Sequence, residues 1–233
     1  MSIKVLYEDK HVIVVSKPAN MPTQSDPTGD LDLVNAVKNQ LELTSSNKKV
    51  YLGLHHRLDR PVGGCILFTK TREINKSIGQ QIQKHSIRKT YLCVVCGHPN
   101  EDNAELTHYL KKLKTVNMSK SVSKDTKDSK EAILEYECLS KIIHPELGPL
   151  SLLKVKLKTG RHHQIRVQLS AEELPILGDR KYNTNKLHQS YCDLSLWSSE
   201  LSFYHFFNKK IIRVNSTPNL EVFPWNNFKN SLK

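Results

Sequence analysis

The chain has 233 residues, 38% of them hydrophobic and 25% charged, a composition typical of a soluble globular protein rather than a disordered or fibrous one. Its formal charge of +12 favours a polyanionic partner, because neutralised phosphates release condensed counterions. Charge alone does not separate RNA from DNA, an acidic protein or a membrane surface. No long apolar run opens the chain, so neither a signal peptide nor a membrane span is predicted. Five scattered cysteines favour reduced, buried thiols over a metal site.

The first half of the chain alternates apolar runs with polar turns. Its predicted elements are a β-hairpin, a helix with Asp30 as N-cap, an apolar strand, a second helix and a buried strand. In that order they occupy residues 3–7 with 11–15, 30–41, 65–69, 74–82 and 90–96.

The second half is richer in lysine. Residues 111–130 carry seven lysines against two aspartates and predict a mobile basic loop or a loose hairpin, either solvated or in contact with RNA. In residues 152–158, LLKVKLK, apolar residues alternate with Lys154, Lys156 and Lys158, which predicts a strand with one buried face and one strongly basic face. Further strands are expected at residues 131–139, 194–206 and 210–214. About ten strands and two or three helices imply a single α+β domain over residues 1–233, built around a large mixed sheet.

The densest cluster of reactive side chains is HHRLDRPVGG, residues 55–64. Asp59 lies between Arg57 and Arg60, and a carboxylate beside two cations stays ionised. The two glycines of this segment allow a tight turn and a close approach of backbone to a ligand. An ordinary surface loop with ion pairs is the alternative, and composition alone favours it.

A second cluster, TGRHHQIRVQLS, covers residues 159–170 and opens a predicted helix. It holds Arg161, His162, His163 and Arg166 next to the backbone donors of a helix N-terminus. Adjacent histidines do not share a helix face, so a phosphate or carboxylate site is preferred over a metal site.

A third segment, RKTYLCVVCG, covers residues 88–97 and places Tyr91 after Arg88 and Lys89. An aromatic ring near cations can stack on a base, although a strand tyrosine more often belongs to the core.

In their order and wording these segments resemble the RluA family of pseudouridine synthases. HRLDRPVGGCILFTKT is similar to the family motif HRLDxxTSGxxLxxK, RKTYLCVVCG to KxYxAxVxG, and TGRHHQIRVQLS to TGRxHQIRxHL. VLYEDKHVIVVSKPANMPT, ILGDRKY and LWSSELSFYHF resemble the opening hairpin, the GDxxY loop and the closing strand, so the resemblance runs from about Ile3 to Phe223. It concerns the catalytic domain, without the S4-type RNA-binding domain of many relatives. The departures are Val62-Gly63 for Thr-Ser, Gln168 for a common His and Asn183 for a frequent Gly.

The resemblance implies the pseudouridine synthase catalytic fold, a large, mostly antiparallel bent sheet with a few flanking helices and a central RNA-binding cleft. It also implies that Asp59 is the catalytic carboxylate, that Arg166 pairs with it, and that Tyr91 stacks on the uracil. Arg57 would hold the place of the extruded base. The other residues expected to bind RNA are Arg60, Lys89, Lys158, Arg161 and His163.

The implied substrate is a specific uridine in tRNA or rRNA. The reaction changes no redox state and transfers no group, so no cofactor and no metal is expected. A cytoplasmic monomer is expected, with no membrane association and no obligatory protein partner. One alternative is a catalytically idle RNA-binding protein on the same scaffold. Another is a hydrolase that uses Asp59 with a histidine from residues 55–56 or 162–163, which would need a third orienting group or a metal.

Overall fold

A computed structural model describes residues 2–44, 50–113 and 115–232. These residues form eleven strands and four α-helices, followed by a 3-10 helix at Trp225–Ser231. The strands are β1 (Lys4–Glu8), β2 (Val12–Lys17), β3 (Gly53–Leu54), β4 (Gly63–Thr69), β5 (Arg88–Cys96), β6 (Asn103–Leu113), β7 (Met118–Val122), β8 (Lys130–His144), β9 (Gly148–Leu157), β10 (Leu196–His205) and β11 (Lys210–Asn215). The helices are α1 (Leu33–Thr44), α2 (Arg72–Gln83), α3 (Gln164–Ala171) and α4 (Lys186–Ser190).

The chain divides into two compact units. The first unit comprises Met1–Lys89 and Ser198–Pro218, and the second comprises Thr90–Trp197 and Asn219–Lys233. Strands outnumber helices in both, which confirms the predicted α+β class. Across the described ranges, no helix combines the length and the apolar character needed to cross a membrane.

In the first unit the strand order is β1-β2-β4-β10-β11, with β3 on β4. The pairs β1–β2, β2–β4, β3–β4 and β10–β11 are antiparallel, and the first of them confirms the predicted hairpin. The spacing of Ile74 and Ile78 predicts a helix, and both side chains are fully buried in α2 against the apolar face of this sheet. Burying each stabilises the unit by about 1.5–3 kcal/mol.

The N-cap of α1 differs from the prediction. The Oδ1 atom of Asp32, not of Asp30, accepts a hydrogen bond of 3.0 Å from the backbone N–H of Asn35, the third residue of the helix. Asp30 is instead exposed and paired with Arg60. The helix therefore begins two residues later than expected.

In the second unit the strand order is β5-β9-β8-β6-β7. The pairs β6–β7, β6–β8 and β8–β9 are antiparallel, and β8 and β9 are the longest antiparallel ribbon of the unit. Residues Leu150, Leu152 and Val94 are fully buried, and the core they share extends to Trp225 and Phe228 of the 3-10 helix. In the described part of residues 111–130, β7 pairs with the end of β6, and turns follow β7.

Candidate active site

The segment that carries Asp59 is anchored on its N-terminal side. The hydroxyl of Thr23 donates to the carbonyl oxygen of Leu58 at 2.8 Å and accepts from the backbone N–H of the same residue at 3.3 Å. The side chain of Leu58 is itself buried. A hydrogen bond of 3.0 Å from the Val62 N–H to the Asp59 carbonyl oxygen closes the turn that follows. Asp59 is thus a half-buried carboxylate on a tightly held loop.

Lys17 anchors the same loop from the other side. Its side chain is fully buried, and Nζ donates to the carbonyl oxygens of Pro18, Met21 and Arg60 at 2.9, 2.7 and 3.0 Å. Three acceptors match the three N–H donors of an ammonium group. Burial lowers the pKa of Lys17 to about 7, while the Asp59 carboxylate favours its charged form.

The two arginines that flank Asp59 in sequence are directed elsewhere. The guanidinium of Arg60 pairs with Asp26, at 3.4 Å, and with Asp30. Arg57 is exposed, and its Nη1 lies 3.4 Å from the side-chain oxygen of Gln24. A cation that is not adjacent in sequence, the buried Lys17, also lies in the field of the Asp59 carboxylate.

Both histidines of the segment hold strand β4. The ring Nε2 of His56 accepts a hydrogen bond of 3.1 Å from the Leu67 N–H, and that of His55 lies 3.4 Å from the Thr69 hydroxyl. Burial, reinforced by the positive charges of Lys89 and His55, holds the pKa of His56 well below its usual value. His56 is therefore a neutral backbone acceptor, which argues against its use by a hydrolase.

Gly64 makes the close backbone approach expected of this segment, but to a strand and not to a ligand. Its φ is +112°, and a Cβ atom there would lie 2.2 Å from the carbonyl oxygen of Ser198 in β10. A side chain at Gly64 would therefore be excluded both by the backbone conformation and by the contact with Ser198.

The predicted tyrosine and its neighbouring lysine are both shielded from solvent. Tyr91 is 7% exposed on β5 of the second unit. Lys89, which was expected to bind RNA, is half-buried in the first unit, and burial lowers its pKa. A lysine in that environment is poorly suited to meet phosphate at the surface.

Arg166 is held by a carboxylate to which the sequence analysis assigned no role. On α3 it is 5% exposed, and its Nε and Nη2 atoms donate to the two carboxylate oxygens of Asp179, both at 2.7 Å. Asp179, with a side chain that is fully buried, also accepts from the N–H groups of Lys181 and Tyr182 at 2.9 and 3.2 Å. The bidentate pair fixes the plane of the guanidinium.

The hydroxyl of Tyr182 joins three parts of the second unit. It accepts from the Ser119 N–H of β7 at 2.8 Å and lies 2.8 Å from Nδ1 of His163, the residue before α3. The Tyr182 ring also lies under the Arg166 guanidinium at 5.1 Å. His163, expected to bind RNA, is buried and stacks on His162 with 3.8 Å between ring centroids.

The lysine face of β9 is not strongly basic, contrary to the prediction. The alternation itself is present, with Leu153 and Val155 buried. Lys158, however, lies between Glu105 and Glu135 at 2.5 and 2.7 Å, and these two carboxylates raise its pKa to about 12. These two glutamates belong to strands β6 and β8. The residue pattern of β9 alone therefore overestimates the positive charge of its lysine face.

Two of the departures from the family motifs have structural roles. The buried Asn183 donates to Cys96 Sγ and to the Ile176 carbonyl oxygen, both at 3.4 Å. Gln168 donates to the carbonyl oxygens of Leu106 and Ala132 at 3.0 and 3.1 Å. These contacts shape local packing and leave the candidate catalytic side chains unchanged.

Three important residues carried weak signals in the sequence. Lys17 shares the strand face of Ile13 and Val15 by period two, which places a cation in a buried position. Asp179 and Tyr182 belong to the ILGDRKY segment, which resembles the GDxxY loop; the resemblance by itself implies no role for either side chain.

Two solved structures share this fold over nearly the whole chain. Human RNA Pseudouridylate Synthase Domain Containing 1 matches 96% of this chain and 86% of its own, with a TM-score of 0.80 and 19% identity. Human RNA Pseudouridylate Synthase Domain Containing 4 matches 98% and 92%, with a TM-score of 0.77 and 20% identity. The fold is therefore that of pseudouridylate synthase domains.

Residues 11–171 match the family described as RNA pseudouridylate synthase, and the chain belongs to that family. The family reaction converts uridine in RNA to pseudouridine, so the chain is an isomerase. The predicted family and reaction class are confirmed.

Curated relatives carry tRNA and rRNA names. A tRNA pseudouridine synthase C of Vibrio parahaemolyticus is 28% identical over 91% of this chain and 89% of its own length. A ribosomal large subunit pseudouridine synthase D of Borreliella burgdorferi is 32% identical over 77% of this chain. The matched region spans 54% of that second relative.

Proposed function

We propose that this protein isomerises specific uridines in tRNA or rRNA and that Asp59 is its catalytic carboxylate. The observation that carries the proposal is the double anchoring of the Asp59 loop by Thr23 on one side and by Lys17 on the other. Catalytic groups must be held close to the productive geometry, and this half-buried carboxylate is fixed by backbone contacts on both of its flanks.

The chemistry exchanges one glycosidic bond for another. The N1–C1′ bond of the uridine breaks, the uracil turns, a C5–C1′ bond forms, and the proton of C5 leaves while N1 gains one. Asp59 would begin the sequence by attacking the ribose or the base or by removing a ribose proton. Each route needs an ionised carboxylate, and the Asp59 carboxylate interacts electrostatically with the buried side chain of Lys17.

Tyr91 and Arg166 are assigned by their match to the family motifs. Tyr91 would stack on the uracil, and Arg166 would orient the Asp59 carboxylate. Extruding the nucleotide costs a few kcal/mol, and stacking worth about 1–3 kcal/mol offsets much of this. The bidentate contact with Asp179 supports a positioning role, because it fixes the Arg166 guanidinium in one plane.

Fewer residues are proposed to contact RNA than the sequence analysis predicts. Arg57 is exposed and loosely tied, which suits a side chain that enters the RNA. Arg161 is half-exposed, and its Nε donates to the Glu131 carbonyl oxygen at 2.8 Å. Arg60 and Lys158 are neutralised by carboxylates, and their contacts favour a structural role.

The names of the relatives support tRNA or rRNA as the substrate class. A cytoplasmic location is part of the proposal and is supported by cysteine chemistry. The five cysteines are free thiols rather than disulfides, as suits a reducing compartment. A monomeric state is also proposed, and light scattering at working concentration tests it.

Asp59→Asn tests the proposal. Tritium release from C5-tritiated RNA should fall by roughly 10⁴-fold, the scale of losing an essential catalytic group, while filter retention of the RNA changes little. Asp26→Asn is the matched control, because it removes a loop carboxylate that contacts Arg60 without touching the proposed chemistry. Substantial tritium release by the Asp59 variant would reject the assignment. Retained RNA binding without release by the wild-type protein would indicate an idle RNA-binding protein.

A further inference from the structure

A groove of about 300 Å³ in the first unit has no part in the proposed chemistry. It lies between the C-terminal half of α2, the start of β5 and the β10–β11 hairpin. The lining residues that bear on its function are Ser77, Lys84, Ser86, Arg88, Tyr204 and Arg213.

The groove is strongly cationic. Three cationic side chains, Lys84, Arg88 and Arg213, are all exposed, and none of the described lining residues is acidic. The carboxylate of Glu200 lies 3.6 Å from Nε of Arg213, whose side chain is nevertheless 61% exposed. The Ser77 hydroxyl accepts from the Gln81 side-chain amide at 3.5 Å and can donate to an anion, whereas the Ser86 hydroxyl already donates to the Gln81 carbonyl oxygen at 3.2 Å.

An aromatic ring stands beside these cations. In the β10–β11 register Tyr204 lies opposite Ile211, and Ser202 lies opposite Arg213, so all four share one face of the hairpin. Phe203 and Ile212 fill the buried face. Tyr204 and Arg213 are diagonal neighbours, about 7–8 Å apart, within reach of a single nucleotide.

The position of Tyr204 is fixed by a side chain of α2. The Gln81 amide donates to the Tyr204 carbonyl oxygen and accepts from its N–H, both at 2.9 Å. The ring nevertheless remains 43% exposed. A rigid backbone with an exposed ring is a preorganised stacking surface, because little conformational freedom is lost on binding.

We propose that this groove binds a segment of the substrate RNA away from the reacting uridine, with phosphates on Lys84, Arg88 and Arg213 and a base on Tyr204. The proposal rests on the proposed function in taking RNA as the partner. Clustered cations with an adjacent aromatic are the combination by which single-stranded RNA is held without sequence preference. A protein partner would be favoured by a larger apolar patch or by mixed charge, and the groove is cationic.

The test compares two triple variants in binding unfractionated tRNA. Lys84→Gln, Arg88→Gln and Arg213→Gln together remove the groove charges. Lys4→Gln, Lys10→Gln and Lys38→Gln remove the same charge from the same unit outside the groove. The groove variant should bind roughly tenfold more weakly than the control, and the slope of log affinity against log salt should fall by about 2, as expected for three single-strand phosphate contacts. Tyr204→Ala should weaken binding at least about fivefold, while Tyr204→Phe retains it.

Equal affinities and slopes for the two triple variants would overturn the proposal that the groove binds RNA. Binding and turnover are scored separately, so the two proposals fail separately. If the wild-type protein releases no tritium while the groove variant still loses tRNA, the catalytic assignment fails and the groove stands. If turnover is normal and both variants bind alike, the groove fails and the catalytic assignment stands.

Discussion

Lys17 donates a hydrogen bond of 3.0 Å to the carbonyl oxygen of Arg60, the residue that follows Asp59. One buried ammonium therefore fixes the backbone beside the proposed catalytic carboxylate and places a positive charge in its field. Nζ of Lys17 both holds the backbone beside Asp59 and interacts with the Asp59 carboxylate. A substitution of Lys17 should therefore change both the stability of the fold and the turnover.

Lys17→Met keeps the approximate length of the side chain and removes its donors. The carbonyl oxygens of Pro18, Met21 and Arg60 lose their shared partner, and we expect the free energy of unfolding in urea to fall by about 2–4 kcal/mol. Lys4→Met, at an exposed position, is the control and should be nearly neutral. Equal stability of the two variants would contradict the anchoring role.

The same lysine predicts a pH dependence of stability. Its pKa is lowered from 10.5 to about 7 in the folded state, chiefly by burial, so between these values the unfolded chain binds more protons than the folded one. The contribution of Lys17 to the free energy of unfolding should therefore increase as the pH rises from about 7 to 10.5. This contribution should disappear as the pH falls back to about 7. Urea unfolding of the wild-type protein and Lys17→Met at several pH values isolates this contribution, and a constant difference would refute it.

Arg166→Lys keeps the charge but loses the planar fork that grips Asp179. If Arg166 positions the reacting groups, single-turnover rates should fall by about 10²-fold while the dissociation constant for RNA changes little. Arg180→Lys, at an exposed position beside Asp179 in sequence, is the matched control. Near-normal turnover with weakened binding would move Arg166 from catalysis to contact with the RNA backbone.

Lys158 and Arg161, which follow β9, should contribute unequally to RNA affinity. Lys158→Gln removes a charge already neutralised by Glu105 and Glu135, so RNA affinity and its salt dependence should hardly change. Arg161→Gln should weaken binding and lower the salt slope by about 0.7–0.9, the value of one phosphate contact. Affinities measured over a salt series decide between them, and the reverse order would restore the β9 lysines as an RNA-binding surface.

Substituting Gly64 and Gly29 by alanine should distinguish the cost of backbone strain from the cost of a steric clash. Both have positive φ, +112° and +74°, but a Cβ atom meets the Ser198 carbonyl at Gly64 and nothing within 4 Å at Gly29. Gly29→Ala should cost about 1–2 kcal/mol from conformation alone. Gly64→Ala should cost about 3–5 kcal/mol, because β4 and β10 must also move apart. Thermal unfolding of the two variants gives the comparison, and similar costs would contradict the close approach.

Periodicity predicted most elements correctly because apolar spacing reports which face of an element is buried. Residues 3–7 and 11–15 became β1 and β2, and the spacing of Ile74 and Ile78 located α2. The prediction failed where side chains from distant segments compete. Asp30 looked like a helix cap, but Arg60 binds it and Asp32 caps α1 instead.

The candidate site was only partly predictable for the same reason. The local sequence motifs identified Asp59 and Arg166 as candidate site residues, since each lies in a segment dense in reactive side chains. The partners Lys17 and Asp179 lie 42 and 13 residues away from them in sequence, and pairing at that separation is decided by the fold. The charge of the β9 face was overstated for an equivalent reason, because the glutamates that neutralise Lys158 come from β6 and β8.

The Tyr182 hydroxyl has an evolutionary consequence. Helix α3, the β6–β7 hairpin and the Asp179 loop all meet at this one atom, through His163 and the Ser119 N–H. Replacing Tyr182 by phenylalanine would remove both of these hydrogen bonds at once, so we expect selection against that change. Lineages that lose Tyr182 should also have replaced His163, and these two positions are therefore expected to covary.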